Sequence, residues 1–433
     1  MPTSTGRDAS RSRASSELYE NVTCPFCGML CDDLDIERKG TALEVRKNGC
    51  GKAIAGFQRE LPEASPMVEG KEAALPEAVQ AAAALINQAR MPLYGGLATD
   101  VDGMRAVMAL AERTGGIVDH ALSEGQYRNL RVLQTTGWTM STLTETRNRA
   151  DLIIVVGNDL EKLHPRFFER IVHPPHSMFD VTAPKRTVVV LGKGPGRSAA
   201  KGYGVGEVVS LPCDIEQVGE VLGVLRARLR GFGVKPVNIA GVTLAKIDAL
   251  AERCRQAKYG VVVWAPPSLD FPCAELTVDQ ITGLVKDLNQ TTRFAGLSLG
   301  GAEGATTAGA VSTWQSGYPL RLSYASGAPD YDPYRYAIGR MLADGEGDLL
   351  VWIASFALDL TPPATKVPTI LLGTPGIELA KPPAVFIPVG TPGVDHAGSL
   401  VRCDNVVSLP LKDLGRSELP RVADVLASIE AAL

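Results

Sequence analysis

The chain has 433 residues, with 44 Lys plus Arg against 48 Asp plus Glu, a formal net charge of −4. That balance excludes a protein that coats nucleic acid through a basic surface, and a chain of this length buries a core for two or three domains without disulfide staples. Apolar residues make up 45% and charged residues 21%, yet the longest apolar runs, such as 349–358, are about half the roughly 20 residues that a membrane span needs.

Residues 1–18 read as a disordered tail. Arg7, Arg11 and Arg13 stand among Ser and Thr with no apolar stretch, so the segment is not a secretory signal and a cytoplasmic location is expected. Four of the eight cysteines follow at once, Cys24, Cys27, Cys31 and Cys50, in the spacing C-x2-C-x3-C-x18-C. Clustered cysteines without a signal point to metal rather than to disulfides. Three thiolates on one tight loop and a fourth returning from a hairpin can surround a cuboidal iron–sulfur cluster. Pro25 and Gly28 suit the turns this needs. Structural zinc usually draws on two separated C-x2-C pairs, and one is present. Leu34-Asp35-Ile36-Glu37 and Leu43-Glu44-Val45-Arg46 alternate around Lys39-Gly40, which predicts a small hairpin inside a Cys-rich subdomain at 19–70. Cys213, Cys254, Cys273 and Cys403 are scattered and read as buried small hydrophobes.

From Leu75 the apolar period becomes helical, with Pro76 in the first turn and Val79, Ala82, Ala83 and Ile86 on one face. A short strand is expected at 92–96, a helix at 101–113 closed by Gly115-Gly116, and a strand stub at Ile117-Val118 running into Asp119-His120. Continuous apolar runs at 152–156, 187–191, 261–264, 349–354, 370–372 and 384–388 alternate with helical patterns at 215–229, 242–257 and 276–288. Such strands predict an α/β fold of doubly wound parallel sheets covered on both faces. The expected division is a first α/β domain from 71–145 and 290–345, a second at 146–289, and a segment at 346–433 completing the sheet. Ligands bind past the carboxyl ends of such strands, which makes Gly157-Asn158, Gly192 and Gly300-Gly301 candidates. The stretch 291–332, rich in small residues and holding Arg293, Trp314, Tyr318, Arg321 and Tyr331, reads as a long ligand-facing loop. His164 reads as a packing residue, and His173 and His176 as surface histidines flanking Pro174-Pro175.

The run Cys24-Pro25-Phe26-Cys27-Gly28-Met29-Leu30-Cys31-Asp32-Asp33-Leu34 resembles the start of the beta subunit of formylmethanofuran dehydrogenase, a family of molybdopterin and tungstopterin oxidoreductases related to formate dehydrogenase. Ala150-Asp151-Leu152-Ile153-Ile154-Val155-Val156-Gly157-Asn158-Asp159, followed by His164-Pro165, resembles that family's strand and loop at the pterin. Thr292-Arg293-Phe294 and Trp314-Gln315-Ser316-Gly317-Tyr318-Pro319 resemble its second pterin-side segment, and Gly398-Ser399-Leu400-Val401-Arg402-Cys403-Asp404-Asn405 its closing segment. The resemblance spans nearly the whole chain after the tail. It implies a formate-dehydrogenase-like fold with Gly157, Asn158, Gly192 and Lys52 on the pterin side, Lys52 bridging cluster and pterin.

One departure changes what the resemblance implies. In the redox-active family a cysteine or selenocysteine ligates the metal and precedes a histidine, and a downstream arginine handles the formate carboxylate. The matching residues here are Asp119, His120 and Arg293. A carboxylate is a harder, poorer donor to a group-six metal than a thiolate. This pattern resembles the beta subunit of the bacterial formyltransferase/hydrolase complex of methylotrophs. That resemblance implies a chain without redox catalysis, with Asp119, His120 and Arg293 vestigial and the molybdenum or tungsten pterin absent. The implied partners are the alpha (amidohydrolase-like), gamma and delta (formyltransferase) subunits. Together they move a formyl group from tetrahydromethanopterin to a furan-type carrier and hydrolyse it to formate in formaldehyde oxidation. Cys24, Cys27, Cys31 and Cys50 are expected to hold a [4Fe–4S] cluster, or failing that zinc. The competing expectation is a working tungsten or molybdenum enzyme with Asp119 as a ligand. Neither nucleic acid nor a membrane is expected as a partner.

Overall fold

A computed structural model describes residues 16–157, 159–179, 185–193, 205–379 and 381–433. Asn158 and residues 1–15 lie outside the described residues.

The uninterrupted apolar runs form two parallel sheets. In the first, strands Ile117–Val118, Pro92–Ala98, Leu349–Ala354, Thr369–Gly373 and Val385–Pro388 lie side by side and parallel. Short antiparallel strands extend both edges, Leu322–Ser323 and Asp330–Tyr331 at one and Met67–Val68 and Lys71–Glu72 at the other. In the second, Val205–Leu211, Arg186–Leu191, Leu152–Val156, Gly260–Trp264 and Phe294–Ser298 are all parallel. Each central strand is buried along its length, as a sheet covered on both faces requires. The strand order reverses at Pro92–Ala98 in the first sheet and at Leu152–Val156 in the second, so both carry a crevice at the carboxyl ends of these strands.

Helices Leu75–Gln88, Val101–Thr114, Ala305–Ser316 and Val422–Ala432 share a core with one face of the first sheet. Helix Val101–Thr114 is fixed at both ends: Asp100 accepts from the Gly103 N–H at 3.0 Å, and Gly115 closes it in the left-handed conformation. Helices Val218–Leu229, Leu244–Gln256 and Glu275–Leu288 cover one face of the second sheet. Its other face packs the Cys-rich subdomain and the segment 160–172.

The predicted hairpin is present, as strands Leu34–Lys39 and Ala42–Lys47 turning at Gly40. A third strand, Ser16–Val22, pairs with the first of them, so residues 16–18 belong to the sheet and not to the tail. Two further boundaries differ. Strand Phe294–Ser298 joins the second sheet rather than the first domain. The stretch 291–332 is no loop: it holds that strand and the twelve-residue helix Ala305–Ser316. This helix is buried on most sides by Ala, Gly, Thr, Ser and Val, so it carries no polar stripe for a periodicity to reveal.

Candidate functional site

The loop between Ser16–Val22 and Leu34–Lys39 gathers the N-terminal cysteines. The Cys24 N–H donates to the Cys31 carbonyl at 2.8 Å, and Gly28 and Leu30 take positive φ of 76° and 48°. Cys50 enters as the residue before helix Gly51–Phe57. Cys24, Cys27, Cys31 and Cys50 line one small cavity together with Leu34, Asn48, Ala53 and Arg166. Burial pushes the thiols up, Cys27 to about 12 and Cys24 and Cys31 in the same direction, with the neighbouring sulfurs adding to it at Cys24 and Cys27. The three buried thiols, Cys24, Cys27 and Cys31, need a cationic centre beside them before they ionise. Zinc bound at about 2.3 Å would draw the sulfurs to roughly 4 Å of each other. Among the described residues no three His, Cys, Asp or Glu side chains are grouped as a metal ion would need them. In number and type, four thiols around one cavity are the donors that a cuboidal iron–sulfur cluster takes.

The cysteine loop rests on the carboxyl end of the second sheet. A Cβ on Gly28 would stand 2.7 Å from the Gly301 carbonyl, and the Cys403 N–H donates to the Gly28 carbonyl at 2.8 Å. Two arginines from the segment after His164 secure the loop's other side. Arg166 grips Asp33 with two hydrogen bonds of 2.6 and 2.8 Å, and Arg170 reaches Asp32 at 2.7 Å. Neither arginine was singled out in the sequence. The available signal was charge complementarity, an Asp-Asp pair directly after Cys31 and two arginines four residues apart.

A cleft of about 660 Å³ opens beside this loop. Its walls are helices Ser123–Thr135 and Ala305–Ser316 and the carboxyl ends of the second sheet, among them Pro266, Ser298, Gly300 and Gly301. Gly309 leaves room for the Gln126 amide, whose nitrogen would stand 2.5 Å from a Cβ there. Lys52, His164, Trp314 and Cys403 also face the cleft. His164 donates from Nε2 to the Leu299 carbonyl at 3.1 Å, and burial depresses it to about 4, so the ring is neutral. Three atoms of the lining, Gln126 Oε1, Trp138 Nε1 and His164 Nδ1, are buried without a hydrogen-bond partner among the described residues. Buried polar atoms left unpaired on a cleft are groups that a bound molecule could satisfy.

Asp119 and His120 follow strand Ile117–Val118, as expected, but they do not line this cleft; their neighbours Ala121 and Leu122 do. Asp119 is 6% exposed and His120 2%. His120 donates from Nε2 to the Glu303 carbonyl at 2.9 Å, and its Nδ1 accepts from the Leu122 N–H at 2.9 Å. Burial lowers this histidine to about 4. Asp119 Oδ2 accepts from the Ile338 N–H at 3.1 Å, at the start of helix Ile338–Asp344. Burial raises this carboxyl to about 6, against the opposing effect of Arg321.

The arginine of this corner is Arg321, not Arg293. Arg293 is exposed and precedes strand Phe294–Ser298, at the end of the second sheet opposite the cleft, where its carbonyl accepts from the Gly260 N–H. Arg321 is buried 3.5 Å from Asp119 and also binds Ser123, Glu124 at 2.7 Å and the Pro333 carbonyl. Lys52 sits in the first turn of helix Gly51–Phe57 at the edge of the cleft, within electrostatic reach of Cys27, His164 and Glu303. Gly157 and Gly192 end strands Leu152–Val156 and Arg186–Leu191, but neither lines the cleft.

No family model matches the chain. It is 32% identical over 335 residues to the beta (B) subunit of the formyltransferase/hydrolase complex Fhc of Methylorubrum extorquens, covering 77% of this chain and 87% of that protein. It is 28% identical over 409 residues to the beta (B) subunit of the tungsten-containing formylmethanofuran dehydrogenase 2 of Methanocaldococcus jannaschii, covering 90% and 92%. Its counterpart in Methanococcus maripaludis is 26% identical over 408 residues, with the same coverage. A chain of the crystal structure of the formyltransferase/hydrolase complex FhcABCD from Methylorubrum extorquens, determined with methylofuran, superposes with a TM-score of 0.71 at 29% identity, covering 85% of this chain and 98% of its own. The cysteine loop, the two parallel sheets and the match across most of both lengths lead to one conclusion: the chain belongs to the family of formyltransferase/hydrolase complex beta subunits, itself akin to the beta subunits of formylmethanofuran dehydrogenase.

Proposed function

We propose that the chain is a non-redox assembly component of a formyltransferase/hydrolase complex. The complex transfers a formyl group from tetrahydromethanopterin to a furan-type carrier and hydrolyses it to formate. The observation that carries this reading is the engagement of Asp119 and His120. Both histidine nitrogens and Asp119 Oδ2 are committed to backbone groups, while Asp119 Oδ1 makes no hydrogen bond and faces Arg321 at 3.5 Å. A metal ligand at this position needs a lone pair free and directed into open space, and neither side chain reaches the cleft. In this reading the fold retains a molybdopterin-oxidoreductase plan whose metal corner has become a packing element.

The chain's partners are the alpha, gamma and delta subunits, and the assembly is cytoplasmic. Among the described residues no helix is long and apolar enough to cross a membrane. Cys24, Cys27, Cys31 and Cys50 hold a [4Fe–4S] cluster, supported by the common cavity that they line. Such a cluster supplies electron transfer in redox enzymes; here it staples the hairpin subdomain to helix Gly51–Phe57.

Elemental analysis of the complex, purified without oxygen, tests both parts. The expected result is about four iron atoms per chain with neither tungsten nor molybdenum. Stoichiometric tungsten or molybdenum would overturn the non-redox reading, and zinc in place of iron the assignment of the cysteine site.

A further inference from the structure

The cleft between helices Ser123–Thr135 and Ala305–Ser316 treats neighbouring polar groups unequally. Asn129 is engaged at both ends of its amide: Oδ1 accepts from Trp264 Nε1 at 3.0 Å, and Nδ2 donates to Ser298 Oγ at 2.8 Å. One turn earlier, Gln126 Oε1 is buried with no partner among the described residues. The two indoles show the same contrast. Trp264 donates its N–H to Asn129, whereas Trp138, packed edge to face against it at 5.6 Å, buries an N–H that has no partner among the described residues.

A buried donor and a buried acceptor are costly when left unpaired, and these two line one space of about 660 Å³. That volume lies in the range that small organic molecules occupy. Leu130, Leu163 and Pro266 add apolar wall, and Trp314 lines the space while 62% exposed. The space therefore offers one N–H, one carbonyl oxygen and apolar side chains around them. A secondary amide on a ring brings the matching set, with one C=O and one N–H beside an apolar body. A formyl group on an amine nitrogen is such an amide.

Resting on the reading that the complex loads a formyl group onto a furan-type carrier, we propose that this cleft binds the formylated end of that carrier. The formamide C=O accepts from Trp138 Nε1 and its N–H donates to Gln126 Oε1, with the ring against the apolar walls. Gly309 keeps room for the Gln126 amide, whose nitrogen a Cβ there would approach to 2.5 Å. The chain forms and breaks no bond of the carrier. It is a holding site between the transfer and the hydrolysis.

The test uses the full chain and N-furfurylformamide, with furfurylamine and formate as the controls that lack the formyl group and the ring. Calorimetry reads the affinity, and the indole N–H resonance of Trp138, identified by its loss in Trp138→Phe, reads the place. The formamide is expected to bind saturably and displace that resonance, and each control to bind about tenfold more weakly. Trp138→Phe, which keeps a ring without the N–H, and Gln126→Leu are each expected to weaken the formamide about tenfold while unfolding at a temperature close to wild type. Gly309→Ala, which pushes the Gln126 amide aside, is expected to weaken it as well. Binding that leaves the Trp138 resonance unmoved, or that is no tighter than for furfurylamine, overturns the proposal, as do wild-type affinities in Trp138→Phe and Gln126→Leu. Stronger hydrogen-exchange protection of 123–135 and 305–316 in the assembled complex without carrier than in the isolated chain would show a partner subunit filling the cleft, and overturns it too. A complex that transfers and hydrolyses formyl groups while its chain binds no formamide ends this proposal alone. A complex that does neither reaction ends the reading on which it rests as well.

Discussion

The four-cysteine pocket and the Asp119–His120 corner are both buried at the edge of the same cleft, yet they treat their polar side chains in opposite ways. The pocket leaves four sulfurs facing a common space, with arginines behind them. The corner turns every nitrogen of His120 and the Oδ2 of Asp119 toward backbone groups. The difference teaches that residue type alone does not make a ligand. What matters is whether the surrounding backbone leaves the lone pair free.

Four substitutions break or sharpen this comparison. The largest effect is expected at Arg321→Leu, which strips the buried Asp119 of its cation and should cost roughly 4 kcal/mol of unfolding free energy at neutral pH. Denaturant titration measures it, and a loss below about 1 kcal/mol would show that the corner is not held by this pair. Gly28→Ala probes the other region. Its Cβ would meet the Gly301 carbonyl from a backbone at φ +76°, and a loss of about 3 kcal/mol is expected together with reduced iron uptake. Full iron uptake by this variant would mean that docking on the sheet is not needed to form the pocket.

The third prediction concerns pH. Asp119 binds its proton up to about 6 in the folded state against an ordinary 3.8, so the folded chain holds a proton that the unfolded chain has released. This contribution therefore falls as pH rises through that window. His120 is lowered from 6.5 to about 4; the unfolded chain takes up a proton that the folded one refuses, and stability falls as pH drops from 6.5 to 4. The two slopes oppose each other in the wild type. Asp119→Asn removes the first, so the stability of the variant relative to wild type should rise by about 2 to 3 kcal/mol between pH 4 and 6. A flat difference across that range would mean that Asp119 titrates normally. The smallest effect is expected at Arg38→Ala, whose ion pair with Glu17 is exposed on the hairpin. A change under about 1 kcal/mol in thermal or denaturant unfolding makes it the control for the other three.

Much of the site was legible in the sequence, for identifiable reasons. The cysteine spacing placed four thiols on a loop and a hairpin return because those distances are local, and the loop's turns need little beyond Gly28. The parallel strands announced themselves as apolar runs because burial on both faces leaves no alternation to confuse. Helix Ala305–Ser316 escaped notice because a helix buried nearly all round shows no stripe. Arg293 was preferred to Arg321 because a resemblance along the chain cannot say which end of a strand a residue occupies. Strand Phe294–Ser298 enters the second sheet with Arg293 at its amino end, far from where ligands bind.

By itself the sequence determined the class of fold, the gathering of four cysteines on a loop and a hairpin return, and the placing of Asp119-His120 just past a strand. Each of these follows from periodicity or spacing within some tens of residues. Tertiary structure alone decided that the Asp119–His120 pair is sealed. It also decided that Arg166, Arg170 and Arg321 supply the charge. Those outcomes hang on contacts between residues more than 130 positions apart, such as Arg166 with Asp33 and Arg321 with Asp119. Hydrogen bonds and ion pairs at that separation are set by how the sheets pack, and no local pattern encodes them.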